Sequence, residues 1–316
     1  MPSYKAPLRD YEFCLNELFD YGNHVALPGF EDFTPDVVAQ VLAEGAKFAE
    51  QALFPLNQSG DKEGCRLENG IVTTPKGFKE AYRQFCEGGW PSLTCDPEHC
   101  GQGMPHMVNF LFEEMMAAAN LSFCLYPGLT RGAYVAISRY GDDTQKALYA
   151  AKLASGEWSG SMCLTEAHSG TDLGLLKTQA IANADGSYAL TGTKIFISAG
   201  EHDLAPNIIY LVLARLPDAP KGTKGISLFV VPKVLVNLQQ RILDACAPLV
   251  KPGGSLVYSV CTLLSAESIG HTMPSGFTPI TDRPEGEWRG FLDGWRVLPH
   301  DADTDGMILL RYRRTA

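Results

Sequence analysis

The sequence predicts a multidomain α+β chain: an all-α helical N-terminal domain over residues 1–157, a partial antiparallel β domain over 158–233, and a C-terminal α/β fragment over 234–316. Three observations predict it. Five segments of helical period precede Trp158. Short β runs separated by Gly- and Pro-containing connectors follow it. After Lys233 the pattern changes again, to a helical run, a Pro-Gly-Gly turn and an apolar strand, the second half of an α/β unit.

Composition narrows the class. At 316 residues with 45% apolar and 20% charged side chains, the chain is an ordinary globular protein with room for two or three domains. Its apolar runs are short, as in Ile208–Ala214, and fall well below the roughly 20 residues of a membrane helix. The first residues lack the apolar stretch of a signal peptide, so a cytoplasmic protein is expected. A net charge of −10 argues against nucleic-acid binding, which needs clustered Lys and Arg. From Val234 onward there are 8 basic and 9 acidic residues, so the excess acid lies upstream. The nine cysteines include no Cys-x-x-Cys pair and read as reduced, small apolar side chains. Cys95, His99, Cys100 and His106 match no zinc-finger spacing and fall in a turn-rich loop, so no metal is expected.

Leu15, Leu18 and Phe19 suggest a short amphipathic helix before Gly22. Thr34-Pro35-Asp36 is a helix start, with a hydroxyl cap, proline in the first turn and an early acid. Val37, Val38, Val41, Leu42, Ala46, Phe48 and Ala49 carry that helix to about Leu53, where Pro55 is expected to end it. A second helix runs from Gly77 to the Gly88-Gly89 stop. A third follows Pro105 with Met107, Phe110, Leu111, Met115 and Met116. Two more are expected over Leu129–Tyr140 and Asp143–Ala154. Beyond Trp158, Thr178–Asn183 and Ser187–Thr191 read as a hairpin around Asp185-Gly186. Strands are expected at Ile195–Ser198, Ile208–Ala214 and Gly225–Val231. Downstream, Leu235–Ala247 has helical spacing, and Gly254–Cys261 and Met307–Tyr312 are β runs.

Two strings carry chemistry. Met162-Cys-Leu-Thr-Glu-Ala-His-Ser-Gly-Thr-Asp-Leu-Gly174 and Leu190-Thr-Gly-Thr-Lys-Ile-Phe-Ile-Ser-Ala-Gly200 each place a hydroxyl on a β run, and the second adds a large aromatic. Taken singly, Thr165 and Ser198 read as strand hydroxyls and Phe196 as core. Together they resemble the acyl-CoA dehydrogenase family, whose Leu-Thr-Glu-x-x-Ser/Ala-Gly-Ser/Thr-Asp and Gly-x-Lys-x-Phe/Trp-Ile-Ser/Thr patterns occur about 30 residues apart, as here. Pro97-Glu-His-Cys-Gly-Gln-Gly-Met-Pro105 is similar to that family's glycine-rich loop, with Cys100 in place of a glycine. The resemblance covers residues 1–233 and leans toward the subgroup that includes methylthiopropionyl-CoA dehydrogenases.

The resemblance implies an FAD-dependent enzyme that dehydrogenates an acyl-CoA thioester, from a family that forms dimers or tetramers, with a homodimer among the assemblies it allows. By it, Met162, Leu164 and Thr165 line the flavin and Phe196 lies against its ring. Ser198 approaches the flavin N5, and Thr171 sits beside the pantetheine arm. The family's catalytic glutamate belongs to a C-terminal helical bundle, and nothing after Lys233 resembles it. Impaired catalysis is therefore expected, and a non-catalytic chimeric or relic protein is the alternative.

Val250-Lys-Pro-Gly-Gly-Ser-Leu-Val-Tyr-Ser-Val-Cys261 resembles a late strand of the Sun-type RNA cytosine-C5 methyltransferase family, with Val260 and Thr262 departing from its pattern. That resemblance covers residues 235–314 and would make Cys261 a nucleophile. The donor-binding half of such an enzyme is missing, so Cys261 reads better as a buried thiol and methyl transfer is not expected.

Overall fold

The computed structural model describes residues 3–68, 71–184, 186–233, 246–260, 276–284, 289–291, 294–297 and 307–315. The chain divides into two compact units, one of residues 1–66 and 73–233 and one of residues 67–72 and 234–316.

In the first unit α1 spans Leu8–Glu12 and continues through a wider turn to Leu18. Its buried residues are Tyr11 and Leu15, whereas Leu18 and Phe19 are exposed. α2 spans Pro35–Phe48, and the Thr34 hydroxyl accepts the Val37 amide at 3.4 Å, the expected cap. The expected end near Pro55 is corrected: a wide turn over Ala49–Leu53 leads directly into α3, Phe54–Glu63. Pro55 is the second residue of α3, directly after the wide turn. A two-stranded sheet, β1 (Arg66–Glu68) with β2 (Ile71–Thr73), whose residues 67–72 are assigned to the second unit, was not anticipated from the sequence. α4 spans Phe78–Glu87.

The helix expected after Pro105 and the one expected over Leu129–Tyr140 are parts of one 35-residue element, α5 (His106–Tyr140), broken at Asn120, whose φ of −159° and ψ of 89° are not helical. Buried Asn120 caps the second half itself, accepting the Phe123 amide on Oδ1 at 3.0 Å. α6 (Asp143–Gln145) starts with a capping box between Asp142 and Gln145 and leads through a wide turn into α7, Ala151–Ala154. The core beneath these helices centres on Leu53, Val108, Phe112, Met115 and Phe123. The Phe123 ring lies 6.0–6.3 Å from those of Phe78, Phe85 and Phe48.

The sheet that follows contains β3 (Ser159–Cys163), β4 (Gln179–Ala182), β5 (Tyr188–Thr191), β6 (Ile208–Arg215) and β7 (Ile226–Pro232). β6 is central, with Ile208, Ile209 and Ala214 fully buried. β4 and β5 form the expected hairpin, from Gln179 opposite Thr191 to Ala182 opposite Tyr188; its turn residue Asp185 lies outside the described residues. β7 pairs antiparallel with β6, but β3 runs parallel to it, Ser159 opposite Ile208 and Cys163 opposite Val212. The sheet is thus mixed rather than wholly antiparallel. Ala133, Tyr134 and Ile137 of α5 pack with Leu153 of α7 and with Ile209 and Leu211 of β6 in a second core.

In the second unit β8 (Ser255–Val260) pairs with β12 (Met307–Arg314), which also pairs with β9 (Phe277–Pro279) and with β11 (Gly294–Val297). β11 pairs in turn with β10 (Arg289–Phe291), and all these pairings are antiparallel. Leu256, Phe277, Leu310 and Tyr312 form its core with Ala247. The expected strands are present. The helix expected over Leu235–Ala247 falls largely outside the described residues. Among the described residues, no helix is long and apolar enough to cross a membrane.

Candidate functional site

β3 carries the first motif and is pressed against α5. The Gly160 amide donates to the Thr130 hydroxyl at 3.1 Å, and a Cβ on Gly160 would stand 2.4 Å from that of Ala133. Only glycine permits that approach. Beyond β3 the chain turns at an isolated bridge between Glu166 and Ser169, and the Ser169 hydroxyl donates to the Asp172 carbonyl at 2.8 Å. The Arg215 guanidinium donates to the carbonyls of Gly174 and Leu176, both at 2.8 Å, and so fixes the far side of this loop.

The second motif lies alongside the first. The Ile195 amide donates to the Thr165 carbonyl at 2.9 Å, the Ser161 hydroxyl to the Ser198 carbonyl at 2.8 Å, and the Tyr210 hydroxyl to the Gly200 carbonyl at 2.7 Å. The strand expected over Ile195–Ser198 is not formed. Phe196 and Ala199 have φ of 56° and 50°, left-handed values that a β ladder cannot accommodate.

The residues singled out from the sequence take different positions. Met162 is half-buried on β3 and packs on the second core, and Leu164 and Thr165 are half-buried just beyond it. Thr171 and Ser198 are exposed, and the Phe196 ring is 87% exposed instead of buried. Cys261 lies outside the described residues.

What sequence reasoning missed is the charge pair beneath the two motifs. Glu166 accepts from the Lys177 amide at 2.8 Å, from the Thr178 amide at 3.0 Å, from the Thr178 hydroxyl at 2.5 Å and from Lys194 Nζ at 2.9 Å. Lys194 also donates to the Leu164 carbonyl at 3.2 Å. Both charges are buried, with side-chain exposures of 9% for Lys194 and 4% for Glu166. Burial alone raises the Glu166 carboxyl, but the bonds from Thr178, Lys194 and the backbone outweigh it and hold it down at about 2. Both residues stand inside the motif strings. An acid directly after Thr165 and a base two residues before Phe196 were the available signal.

A serine–histidine pair also lies here. Ser159 Oγ is 2.9 Å from His202 Nε2, and His202 Nδ1 is 3.1 Å from the Leu204 amide. Because Nδ1 accepts that amide proton, Nε2 carries the hydrogen and donates to the serine. The imidazole therefore cannot take the Ser159 proton, and a nucleophilic dyad is excluded. Asp203 is held separately by Thr74 and Lys79.

Comparison with known proteins identifies both domains. Residues 39–157 match the acyl-CoA dehydrogenase N-terminal domain and residues 161–246 the acyl-CoA dehydrogenase middle domain. The middle-domain match thus runs past Lys233, where the sequence pattern changes. The chain is 47% identical over 235 residues to a 3-methylmercaptopropionyl-CoA dehydrogenase of Ruegeria pomeroyi, covering 74% of this chain and 40% of that protein. It is 35% identical over 240 residues to a butyryl-CoA dehydrogenase of Syntrophomonas wolfei, covering 74% of this chain and 39% of that one. The chain thus spans about two fifths of the length of these curated relatives. Among solved structures, butyryl-CoA dehydrogenase from Megasphaera elsdenii shares the fold with a TM-score of 0.53 at 20% identity, over 89% of this chain and 56% of that one. An acyl-CoA dehydrogenase complexed with FAD from Bacillus anthracis gives 0.51 at 24% identity, over 64% of this chain and 31% of that one. These matches carry the acyl-CoA dehydrogenase resemblance and not the methyltransferase one. Through its N-terminal and middle domains, the chain belongs to the acyl-CoA dehydrogenase family.

Proposed function

We propose that residues 1–233 form the helical and middle β parts of an FAD-dependent acyl-CoA dehydrogenase, and that an acyl-CoA thioester is the substrate class. The observation that carries this reading is the alignment of the two motifs, joined at Ile195–Thr165 and Ser161–Ser198. The residues present fit a flavin. Ser198 is exposed and Thr165 half-buried, so both hydroxyls remain accessible as donors, and the exposed Phe196 ring offers a flat apolar face. Bound FAD would supply the hydride acceptor. Thr165 and Ser198 would donate to its edge, Met162 and Leu164 would provide apolar contact, and Phe196 would cover the ring. Thr171 would stand beside the pantetheine arm.

Removal of the substrate's α-proton needs a base. Glu166 is the one fully buried carboxylate among the described residues, and it is committed to Lys194, Thr178 and the backbone. Held at about 2, it is a poor proton acceptor. The reading therefore includes weak turnover by this chain on its own. The name of the Ruegeria relative makes 3-methylmercaptopropionyl-CoA the first thioester to test. A homodimer is part of the same reading, on the family resemblance.

The test is to incubate the purified full chain with FAD, remove free flavin by desalting, and record the visible spectrum. A retained band of bound oxidised flavin is expected. A colourless protein overturns the assignment.

A further inference from the structure

We propose that Glu166 and Lys194 are positioning residues: their buried ion pair holds the Thr165 turn and the Phe196–Ser198 turn in the register that flavin recognition requires. This inference rests on the flavin reading above.

The geometry makes the pair the joint between the two motifs. Glu166 directly follows Thr165, and Lys194 lies two residues before Phe196. Lys194 Nζ bridges the first motif, donating both to the Glu166 carboxylate and to the Leu164 carbonyl. Glu166 draws in a third segment through the amides of Lys177 and Thr178 and the Thr178 hydroxyl. Gly192 makes room for this, because a Cβ there would lie 2.3 Å from the Thr178 hydroxyl oxygen.

The backbone gives a second reason. Phe196 and Ala199 both hold left-handed conformations that side-chain-bearing residues rarely adopt. Such conformations persist where the surroundings over-determine them. Lys194 and the Ile195 amide fix the chain on one side of Phe196, and the Ser161 and Tyr210 hydroxyls fix it beyond. Replacing a buried ion pair by apolar residues of similar volume is often neutral or stabilising, so net stability is weak grounds for this pair, and the geometry it imposes on three segments is the stronger one.

The test uses the full chain and four variants: E166Q, K194M, K194R and T178V. The first readout is hydrogen exchange at the Ile195 amide without added FAD. The second is FAD affinity by titration, and the third is the midpoint potential of the flavin at saturating FAD. In K194M, Ile195 exchange is expected to rise and FAD affinity to fall, each about tenfold. The potential should move even when every site is filled. K194R, which keeps the charge, should recover most of each change. If K194M does not fold, E166Q and T178V carry the same three measurements. Unchanged Ile195 exchange in the folded variants overturns the proposal. A weaker affinity with an unmoved potential also overturns it, because the pair would then serve stability alone. Wild-type chain that takes up no FAD while Ile195 still responds overturns the flavin reading instead.

Discussion

The Ser159 hydroxyl and the His202 ring are locked together at 2.9 Å in the interior, with the Leu204 amide donating to the ring's other nitrogen. The Tyr126 ring meets His202 edge-on, with centroids 5.2 Å apart. This ties β3, which carries the first motif, to the segment just beyond the second motif, and it requires a neutral imidazole. Burial is the main cause that lowers the His202 pKa, to about 4, with the Lys233 charge adding to it and Asp203 opposing.

Stability should therefore depend on pH in a defined window. An unfolded histidine titrates near 6.5, so between 6.5 and 4 the unfolded chain binds a proton that the folded chain refuses. Stability is complete above 6.5 and falls as the pH drops toward 4, by about 3 kcal/mol from this residue. Glu166 acts lower, where the stability its ionised form contributes is lost as the pH falls from 4.5 toward 2. Urea unfolding at a series of pH values from 7 to 4 should show the first loss, and His202→Asn should flatten it. A wild-type midpoint independent of pH across that range would contradict the neutral-imidazole assignment.

Gly160 gives a prediction about packing. A side chain there meets Ala133 at 2.4 Å and the backbone of Thr130 at 3.2 Å, so β3 would have to leave α5. Gly160→Val should cost about 1–3 kcal/mol or more through overpacking. It should also weaken the Gly160–Thr130 bond that seats β3. Chemical denaturation measures the first effect, and loss of protection at the Gly160 amide reports the second.

Much of this architecture was legible in the sequence where local chemistry agreed with tertiary need. Thr34-Pro35-Asp36 is a helix start by itself, and the β4–β5 pairing follows from alternation and turn residues. The errors arose where a tertiary partner decided. Pro55 reads as a stop, yet it is the second residue of α3, directly after the wide turn, and packing of Leu53 and Phe54 on the core continues the chain. Asn120 breaks a helix that the apolar pattern could not join, because its cap is made by its own side chain. Ile195–Ser198 has β-branched and aromatic content, but bonds to Thr165 and Ser161 bend it out of a ladder. The candidate site residues could be named as motif letters. The Glu166–Lys194 pair was not, because no local rule links an acid and a base 28 positions apart.

The two hydroxyls make the flavin assignment testable at single-atom level. Thr165→Val and Ser198→Ala should each weaken FAD binding by about 1–3 kcal/mol, because a buried acceptor on the flavin edge then loses its donor. Titration of the desalted chain with FAD reads the change. Unaltered affinity in the double variant would show that the flavin, if bound, sits elsewhere.

The last prediction concerns turnover by the 316-residue chain. Dehydrogenation of a thioester couples α-proton removal to hydride departure, and a positioned base contributes roughly 10²–10⁴-fold. Glu166 is close in sequence to the residues proposed to line the flavin but is spent on Lys194 and Thr178, and at about 2 it holds its proton too weakly. His168 lies 3.4 Å from Glu166 and 3.2 Å from the Leu175 carbonyl. Its side chain is 40% exposed and its Nε2 is already engaged by these two oxygens, so it is not aligned in a water-excluded pocket as a catalytic base would be. Anaerobic mixing of the FAD-loaded chain with 3-methylmercaptopropionyl-CoA and with butyryl-CoA, followed by flavin bleaching, is the measurement. Bleaching should be slow with both thioesters, and His168→Ala should leave it unchanged. Rapid bleaching abolished by that substitution would identify His168 as a base and reverse the prediction.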